Sequence, residues 1–380
     1  MSRIGISLHA CDHGKSGIGQ YMIELLQAIE REDQSNHYYL FVSETDNHLF
    51  DLPSDRFQRI LVPKQFDSAM MSILWHQTLL IWHIRKLKID VFFFPAANRR
   101  LTWTRCIPTI GTIHDLCQFR TKGKYDPFRM FYVKHLLPLQ AKRLTMILTP
   151  SQNSKEDVIS FYNLSEEKIH VIYNGINQIR YQPLPSDINT DELRKQYQLP
   201  RNYLVYVSRL EHPGKNHVKL ITAYSLLREK GYDGKLLLVG SDWNGADIIH
   251  EVARASPYSR DIIMSGFVEN EALPNLVRLA DIFVYPSLYE GFGIPVIEAM
   301  ACGVPVACSS GSSLSEIANG HARLFDPEIP EDIANQVLHL LTHKKETQLM
   351  ALNNIEYAQT FSWKRAAQQT LLHIKASLKK

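Results

Sequence analysis

Two glutamates flank a glycine-rich turn in the stretch EGFGIPVIE, residues 290–298. Gly291 and Gly293 allow the backbone to approach a ligand closely, and Pro295 suits the first turn of a helix. The free N–H groups of that turn favour phosphate, while the carboxylates of Glu290 and Glu298 can accept hydrogen bonds from adjacent sugar hydroxyls. A capped helix whose glutamates complement its dipole is the alternative. Two acids around Gly-x-Gly at a strand–helix junction favour a ligand site.

A second cluster, SRLEHPGKN, spans residues 208–216 and directly follows an apolar strand pattern. Arg209 stands at the end of that strand and Lys215 at the entry to the next helix. Two cations placed in this way can neutralise a diphosphate, and each charge-assisted hydrogen bond contributes about 1.5–3 kcal/mol. Such a pair of cations can also lie on the surface without binding a ligand. Its coincidence with the Glu290 loop favours binding.

The first half of the chain carries a glycine-rich loop, Gly14-Lys-Ser-Gly17-Ile-Gly19, between a strand and a helix. The loop resembles a phosphate-cradling turn, but it is neither a P-loop nor a complete GxGxxG fingerprint, because Met22 occupies the last position. By itself this glycine pattern is a weak signal, but a loop at this position can place the Gly19 N–H against a phosphate.

His114 and Asp115 follow another strand of the first half, again at its carboxyl end. A histidine beside a strand is often structural, but this position points toward the expected ligand. Asp115 can orient the imidazole or bind a sugar hydroxyl.

The elements that carry these residues alternate between short β-branched or aromatic runs and longer helical patterns. Fully apolar strands belong to sheets covered on both faces, so the pattern predicts doubly wound parallel α/β domains. The 380 residues suggest two of them. The predicted strands are Ile4–Leu8, Tyr38–Val42, Val91–Phe94, Thr109–Ile113, Met146–Thr149, Leu204–Val207, Leu236–Val239, Ile262–Met264, Ile282–Tyr285, Val304–Cys308 and Ala322–Phe325. Helices are predicted between them, for example at Gln20–Glu30, Ser72–Leu87, Phe128–Leu144, Val218–Glu229, Glu271–Leu279 and Pro330–Leu341.

Composition narrows the classes of partner and compartment. With 42 Lys+Arg against 39 Asp+Glu, the near balance gives no reason to expect nucleic acid. Between Ile81 and Ile147, however, thirteen basic residues stand against three acidic ones, which suits an anionic membrane or substrate, or simply a solvated face. Five cysteines without CxxC spacing argue against disulfides and zinc, so a reducing cytoplasm is expected.

Together these motifs resemble the GT-B glycosyltransferases of family 4, retaining enzymes that use nucleotide sugars. The resemblance covers nearly the whole chain. It rests on Glu-x7-Glu, on the Arg209/Lys215 pair and on the Ser-Gly-Ile-Gly loop. Thr112-Ile-His-Asp, Gly240-Ser-Asp-Trp and Gly266-Phe-Val match as well.

The resemblance implies a domain plan of two Rossmann-like domains facing a cleft. The first would comprise residues 1–175 together with 362–380, because the terminal helix of GT-B proteins crosses back to it. The second would span 188–361, with a linker at about 176–187. The linker prediction also rests on Gly, Pro and polar residues in NGINQIRYQPLPSD.

The resemblance also implies roles. Glu298 would hold ribose hydroxyls, and Glu290 with the 292–294 backbone would hold the donor sugar. Phe267 and Val268 would lie by the nucleobase. The predicted catalytic residues are His114, Asp115, Arg209, Lys215 and Glu290. The predicted donor-binding residues are Gly17, Gly19, Ser208, Arg209, Lys215, Gly240, Phe267, Val268, Glu290, Gly291, Phe292, Gly293, Ile294 and Glu298.

The family resemblance implies that no cofactor or metal is needed, because two protein cations replace a metal at the diphosphate. GDP-mannose is the favoured donor, with a UDP-sugar such as UDP-glucose as the alternative. The acceptor would be a saccharide, lipid-linked or free, in polysaccharide or glycolipid synthesis. A same-face displacement is preferred over a double displacement through Glu290. A nucleotide-sugar epimerase, a nicotinamide dehydrogenase and a silent partner subunit fit the motifs less well.

The segment Met70–Leu87 combines methionine and tryptophan with basic residues. Apolar residues at helical spacing are typical of core-facing helices, so core packing is expected there. Peripheral contact with an anionic membrane is the alternative interpretation.

Overall fold

The computed structural model describes residues 1–104, 106–120 and 130–379. The chain divides into two units, Met1–Gly175 with Ser362–Lys380, and Ile176–Phe361.

The first unit is built on a parallel seven-stranded sheet of order β3-β2-β1-β4-β5-β6-β7. Its strands are β1 Arg3–Ser7, β2 His37–Ser43, β3 Phe57–Val62, β4 Val91–Phe94, β5 Thr109–Thr112, β6 Met146–Thr149 and β7 Ile169–Val171. Its helices up to residue 175 are α1 Gly17–Glu32, α2 Ala69–Gln77, α3 Leu79–Lys86, α4 Cys117–Arg120, α5 Leu137–Ala141 and α6 Gln152–Tyr162. A π-helical turn, Tyr132–Leu136, precedes α5, and short 3-10 turns occur at Asp12–Gly14, Glu44–Phe50, Lys64–Phe66 and Glu166–Lys168.

The second unit repeats this architecture on a parallel sheet of order β10-β9-β8-β11-β12-β13. Its strands are β8 Tyr203–Val207, β9 Lys235–Val239, β10 Ile262–Gly266, β11 Ile282–Tyr285, β12 Val306–Ser309 and β13 Arg323–Phe325. Its helices are α7 Thr190–Gln196, α8 His217–Glu229, α9 Ala246–Ala255, α10 Leu273–Arg278, α11 Ile294–Ala301, α12 Ser312–Ala318, α13 Pro330–Thr342 and α14 Lys344–Ala358, with a 3-10 turn at Ser259–Asp261.

The prediction of doubly wound parallel α/β domains is confirmed. Two strands were not predicted, β3 and β7, and both lie at the edges of the first sheet. Only the first and last residues of β3, Phe57 and Val62, are buried, and β7 is only three residues long. Neither forms the continuous apolar run that identifies a central strand.

The helix predicted for Ser72–Leu87 is two helices, because Thr78 departs from helical geometry with φ −123° and ψ −80°. Its expected core packing holds for one face only, since Trp75, Leu80 and Ile84 are buried while other apolar side chains of the pair are exposed. The helix predicted for Phe128–Leu144 begins outside the described residues. Its remaining part is the π-helical turn followed by α5.

The C-terminal helix, α15 Trp363–Ser377, belongs to the first unit and packs against α1. Gln368 donates a hydrogen bond of 2.7 Å to Glu32, and the Trp363 ring lies 5.8 Å from that of Tyr21. His373 stacks on His170 of β7 at 4.3 Å.

Residues 176–187, the segment predicted as a linker, lie within the second unit. The Arg278 guanidinium donates to the carbonyl oxygens of Gln182, at 2.6 Å, and of Arg180. The Ile176 N–H donates to the Phe361 carbonyl at 3.3 Å.

Both sheets reverse their winding direction once. The first does so between β1 and β4, and the second between β8 and β11. Ligands of open α/β sheets bind outside the carboxyl ends of the strands at such a switch point. None of the described helices is long and apolar enough to cross a bilayer.

Candidate functional site

An ion pair joins the two loops at the switch point of the second sheet. Lys215, in the loop after β8, donates from Nζ to Glu290 Oε1 at 2.6 Å, and Glu290 lies in the loop after β11. Burial by itself lowers the pKa of Lys215, but the adjacent Glu290 carboxylate offsets it, so the pKa is raised overall. Lys215 is therefore a protonated, largely buried cation next to an acidic partner.

Backbone and side-chain hydrogen bonds hold the Lys215 loop against the Glu290 loop. Asn216, in the left-handed region with φ 58°, donates from Nδ2 to the carbonyl oxygens of Pro286 at 3.1 Å and Pro327 at 2.7 Å. The Leu288 N–H donates to the Gly214 carbonyl at 3.0 Å. Because Asn216 also precedes α8, these bonds fix Lys215 and the start of that helix together.

The other predicted cation, Arg209, lies over the ring of Trp243, with 4.6 Å from its guanidinium carbon to the ring centroid. It also reaches Glu211, at 3.4 Å between Nη2 and Oε2. Both partners belong to loops at the carboxyl ends of β8 and β9. Stacking and ion pairing thus hold Arg209 at the same edge of the sheet as Lys215.

Gly240 and Ser208 meet at that edge. Gly240 adopts φ 149°, and a Cβ built on it would lie 2.1 Å from the Ser208 carbonyl oxygen. The Ser208 N–H donates to the Val239 carbonyl at 2.9 Å, which extends the pairing of β8 with β9. Gly240 is therefore required by close packing against the Ser208 backbone.

The backbone of Glu290 is clamped from α12. Its N–H donates to Ser312 Oγ at 3.1 Å, and Ser313 Oγ donates to its carbonyl at 2.9 Å. Its carboxylate also accepts a bond of 3.1 Å from the hydroxyl of Tyr285, the last residue of β11. Both described hydrogen bonds to the carboxylate, from Lys215 and Tyr285, go to Oε1.

The residues after Glu290 turn directly into α11. Gly291 and Phe292 are buried, and the Phe292 ring packs edge-on to Phe361 at 5.8 Å. Gly293 caps the helix with φ 97°, and Ile294 is the first helical residue. The Phe292 side chain therefore belongs to the core, and the partly exposed positions of the 290–294 segment are Glu290 and Ile294.

Glu298 lies in α11, one turn after Ile294, and has a partner that the sequence analysis missed. The buried hydroxyl of Tyr181 is hydrogen-bonded to Glu298, and burial together with that carboxylate raises the pKa of Tyr181. The sequence did not indicate a role for either tyrosine at the site, because Tyr181 lies in the segment predicted as a linker and Tyr285 lies in a predicted strand.

Phe267 and Val268 follow β10 at the same edge of the second sheet, and the Phe267 side chain is exposed. The second unit therefore brings these predicted residues to the carboxyl ends of four strands, β8, β9, β10 and β11, or to the helix that follows: Ser208, Arg209, Lys215, Gly240, Phe267, Val268 and the 290–298 segment.

In the first unit, the glycine-rich loop leads directly into α1. Ser16 caps the helix, and its Oγ accepts a hydrogen bond from the Gly19 N–H at 3.1 Å. A Cβ on Gly19 would lie 2.2 Å from the Cys11 carbonyl oxygen, whereas a Cβ on Gly17 would meet nothing within 4 Å. Within the described part of the chain, the N–H groups of Gly17 and Ile18 donate to no acceptor.

His114 lies buried after β5. Its Nε2 donates to the Pro95 carbonyl at 2.7 Å, which leaves Nδ1 as the unprotonated nitrogen, and burial lowers its pKa to about 4. The ring of Tyr21, from α1, packs edge-on to it at 4.5 Å. Asp115 accepts the Cys117 N–H at 3.2 Å at the start of α4. His114 is thus a neutral imidazole connected to α1.

No group of three or more His, Cys, Asp or Glu side chains in the described part of the chain is arranged to hold a metal ion.

Comparisons with known proteins identify relatives of both halves. The model of Glycosyltransferase Family 4 matches residues 15–180, and that of Glycosyl transferases group 1 matches residues 189–357. An uncharacterized glycosyltransferase of Methanocaldococcus jannaschii, MJ1607, is 30% identical over 276 residues, covering 70% of this chain and 68% of the relative. O-antigen chain mannosyltransferase B of Escherichia coli is 28% identical over 367 residues, 94% of this chain and 95% of the relative.

Solved structures agree on the fold. The crystal structure of Anabaena Alr3699/HepE in complex with UDP and glucose matches with a TM-score of 0.78 and 20% identity, over 99% of this chain and 100% of that one.

Proposed function

The chain belongs to the glycosyltransferases of family 4, and from this premise we propose that it transfers a hexose from a nucleoside-diphosphate donor to an acceptor hydroxyl. The acceptor is a saccharide, free or lipid-linked, in polysaccharide or glycolipid synthesis. The observation that supports the site is the Lys215–Glu290 ion pair at the switch point of the second sheet. In the proposal, Lys215 is the cation for the diphosphate and Glu290 the carboxylate for the sugar.

In this proposal the carboxyl-end edge of the second sheet binds the donor. Arg209 and Lys215 neutralise the diphosphate, together with the first-turn N–H groups of α11. Glu298, oriented by Tyr181, accepts the ribose hydroxyls. Exposed Phe267 offers a surface on which a nucleobase can stack.

Mannose is the sugar we favour, carried by GDP. The support is the similarity to an O-antigen chain mannosyltransferase over nearly the full length of both chains. A UDP-sugar is the alternative donor. Its support is the Anabaena protein of similar fold, whose structure contains UDP and glucose.

We propose retention of configuration by a same-face displacement without a metal. The bond from the anomeric carbon to the diphosphate breaks as the acceptor oxygen bonds to the same face, and the acceptor proton passes to a diphosphate oxygen. Arg209 and Lys215 stabilise the developing charge on the diphosphate. The hydrogen bonds that Glu290 Oε1 accepts from Lys215 and Tyr285 support a sugar-binding role for this carboxylate in the proposal.

The test is calorimetric titration with GDP, UDP, ADP and dTDP and with their sugar conjugates, in the presence of EDTA. The same panel is run on Glu298→Ala and Arg209→Ala, with Arg201→Ala as a control at an exposed position outside the site. We expect one tight nucleotide, GDP, whose binding is lost in both site variants and kept in the control.

Binding of UDP instead of GDP would move the donor to a UDP-sugar. Failure of every nucleotide to bind folded protein would overturn the transferase proposal in favour of a silent partner subunit. Once the donor is identified, NMR of the product tests whether the anomeric configuration is retained, because the coupling constant of the anomeric proton reports it. An inverted product would exclude the same-face mechanism.

A further inference from the structure

The helix pair α2–α3 of the first unit has two unlike faces. Trp75, Leu80 and Ile84 are buried in the core of the unit. On the other side four large apolar side chains are exposed, and we call them the apolar ridge: Met70 at 69% exposure, Leu74 at 49%, Leu79 at 41% and Trp82 at 53%.

The four residues of the apolar ridge form two pairs at helical spacing, one on each helix. Met70 and Leu74 are four residues apart on α2, and Leu79 and Trp82 are three apart on α3, so each pair shares one side of its helix. The break at Thr78 separates the two pairs. Apolar residues scattered singly on a surface are ordinary, whereas four large exposed ones within thirteen positions are a candidate interaction surface.

Basic residues adjoin the ridge at its C-terminal end. Arg85, Lys86 and Lys88 are exposed, and the Lys86 ammonium lies 4.5 Å from the centre of the Trp82 ring. Within the described part of the chain none of these three forms an ion pair with an acidic side chain. Three exposed cations therefore stand near an indole, a side chain that favours the boundary between water and hydrocarbon.

The charge distinguishes between possible partners. Two copies of the chain that met symmetrically through the ridge would each bring the same basic cluster to the interface, and like charges would oppose each other. An anionic lipid surface complements the same arrangement, because the apolar side chains enter the headgroup boundary while the basic ones meet the lipid charge.

We propose that α2 and α3 dock the first unit on an anionic lipid bilayer through Met70, Leu74, Leu79 and Trp82, assisted by Arg85 and Lys86. This inference does not depend on the donor site. Its test requires no catalytic activity. Membrane docking can therefore be disproved while the proposed function stands, and the proposed function can be disproved while membrane docking stands.

The experiment is flotation of the full chain with vesicles of phosphatidylcholine alone or with 30% phosphatidylglycerol. We expect binding to the anionic vesicles, weakened by 0.5 M NaCl, and little binding to the neutral ones. The double variants Leu74→Ser/Trp82→Ser and Arg85→Glu/Lys86→Glu should each lower the partition coefficient by about tenfold or more.

Matched controls come from α14 of the second unit. Leu349 and Leu352 are exposed to 60% and 65%, and Lys344 and Lys345 are exposed at the start of the same helix. Leu349→Ser/Leu352→Ser also removes two large exposed apolar side chains, and Lys344→Glu/Lys345→Glu makes the same change in charge as the ridge variant. Both control variants should keep binding. Equal loss in the control variants would overturn the proposal, because binding would then reflect overall charge or hydrophobicity.

Depth is tested with brominated lipids, which quench tryptophan within the bilayer. Trp82→Phe keeps an apolar side chain, so it should still float with anionic vesicles while losing most of the quenching. Unchanged quenching would show that another tryptophan enters the lipid and would overturn the role of the ridge. A dimer seen by light scattering without lipid, and abolished by Leu74→Ser/Trp82→Ser, would assign the ridge to a second copy instead.

Discussion

Lys215 and Glu290, 75 positions apart in the chain, form a 2.6 Å ion pair that connects the loops after β8 and β11. The pair neutralises the cation that our proposal assigns to the donor diphosphate. A diphosphate that binds there must therefore share Lys215 with Glu290, and the two residues contribute to binding in opposite ways.

Substitution of the two partners should separate these contributions. Lys215→Met removes a charge-assisted bond of about 1.5–3 kcal/mol, so it should weaken binding of the nucleoside diphosphate by about 10- to 100-fold. Glu290→Gln leaves Lys215 free of its acidic partner and should keep or tighten that affinity while transfer falls steeply. Calorimetry with the nucleoside diphosphate and an assay of transfer measure the two effects. A parallel loss of diphosphate affinity in both variants would argue against separate roles.

Tyr285 should act by holding the Glu290 carboxylate. Tyr285→Phe removes the 3.1 Å bond to Oε1, and we expect kcat to fall several-fold with little change in the affinity for the nucleoside diphosphate alone. The control is Tyr203→Phe, which removes a similarly buried hydroxyl whose 2.7 Å bond goes to the Leu276 carbonyl. Both variants should lose about 1 kcal/mol of unfolding free energy. If the Tyr203 variant slows transfer as much, Tyr285 has no particular role.

Two glycines of the first loop should respond oppositely to alanine. A Cβ on Gly19 would lie 2.2 Å from the Cys11 carbonyl oxygen and 2.9 Å from the Gly14 Cα, so Gly19→Ala should destabilise the fold by about 1–3 kcal/mol or more. Gly17→Ala has open space and should be neutral or stabilising by up to about 1 kcal/mol. Urea unfolding of the two variants measures this difference, and equal stabilities would contradict the loop geometry.

Acid should destabilise the first unit through its buried histidines. Burial lowers the pKa of His76 to about 3 and of His114 to about 4, below the ordinary value of 6.5. The unfolded chain therefore binds more protons below pH 6.5, and stability falls as the pH drops from 7 toward the folded-state pKa values. Each histidine should cost about 2 kcal/mol between pH 7 and 5.

Urea unfolding at pH 7, 6 and 5 measures that loss. His114→Gln should show a shallower fall in stability with pH than the wild type, whereas His48→Gln, at an exposed position, should follow the wild-type slope. An unchanged slope in His114→Gln would mean that His114 titrates near its ordinary value in the folded state.

Much of the architecture could be predicted from local pattern. Central strands such as Val91–Phe94 and Ile282–Tyr285 are continuous apolar runs, because both faces of their sheets are covered. The loops at their carboxyl ends carry the charged and glycine residues, so Glu290, Glu298, Arg209 and Lys215 could be named from spacing. The resemblance to the glycosyltransferases of family 4 rests on the same local motifs.

Tertiary structure alone decided the rest. Edge strands β3 and β7 are only partly buried or very short, so their sequences carry little strand signal. The partners of Glu290 and Glu298, Tyr285 and Tyr181, depend on which side chains meet after the sheets and helices pack. The division of α2 and α3 into a buried face and an exposed ridge depends on the same packing. Apolar residues at helical spacing do not by themselves show which face of a helix is covered by other elements.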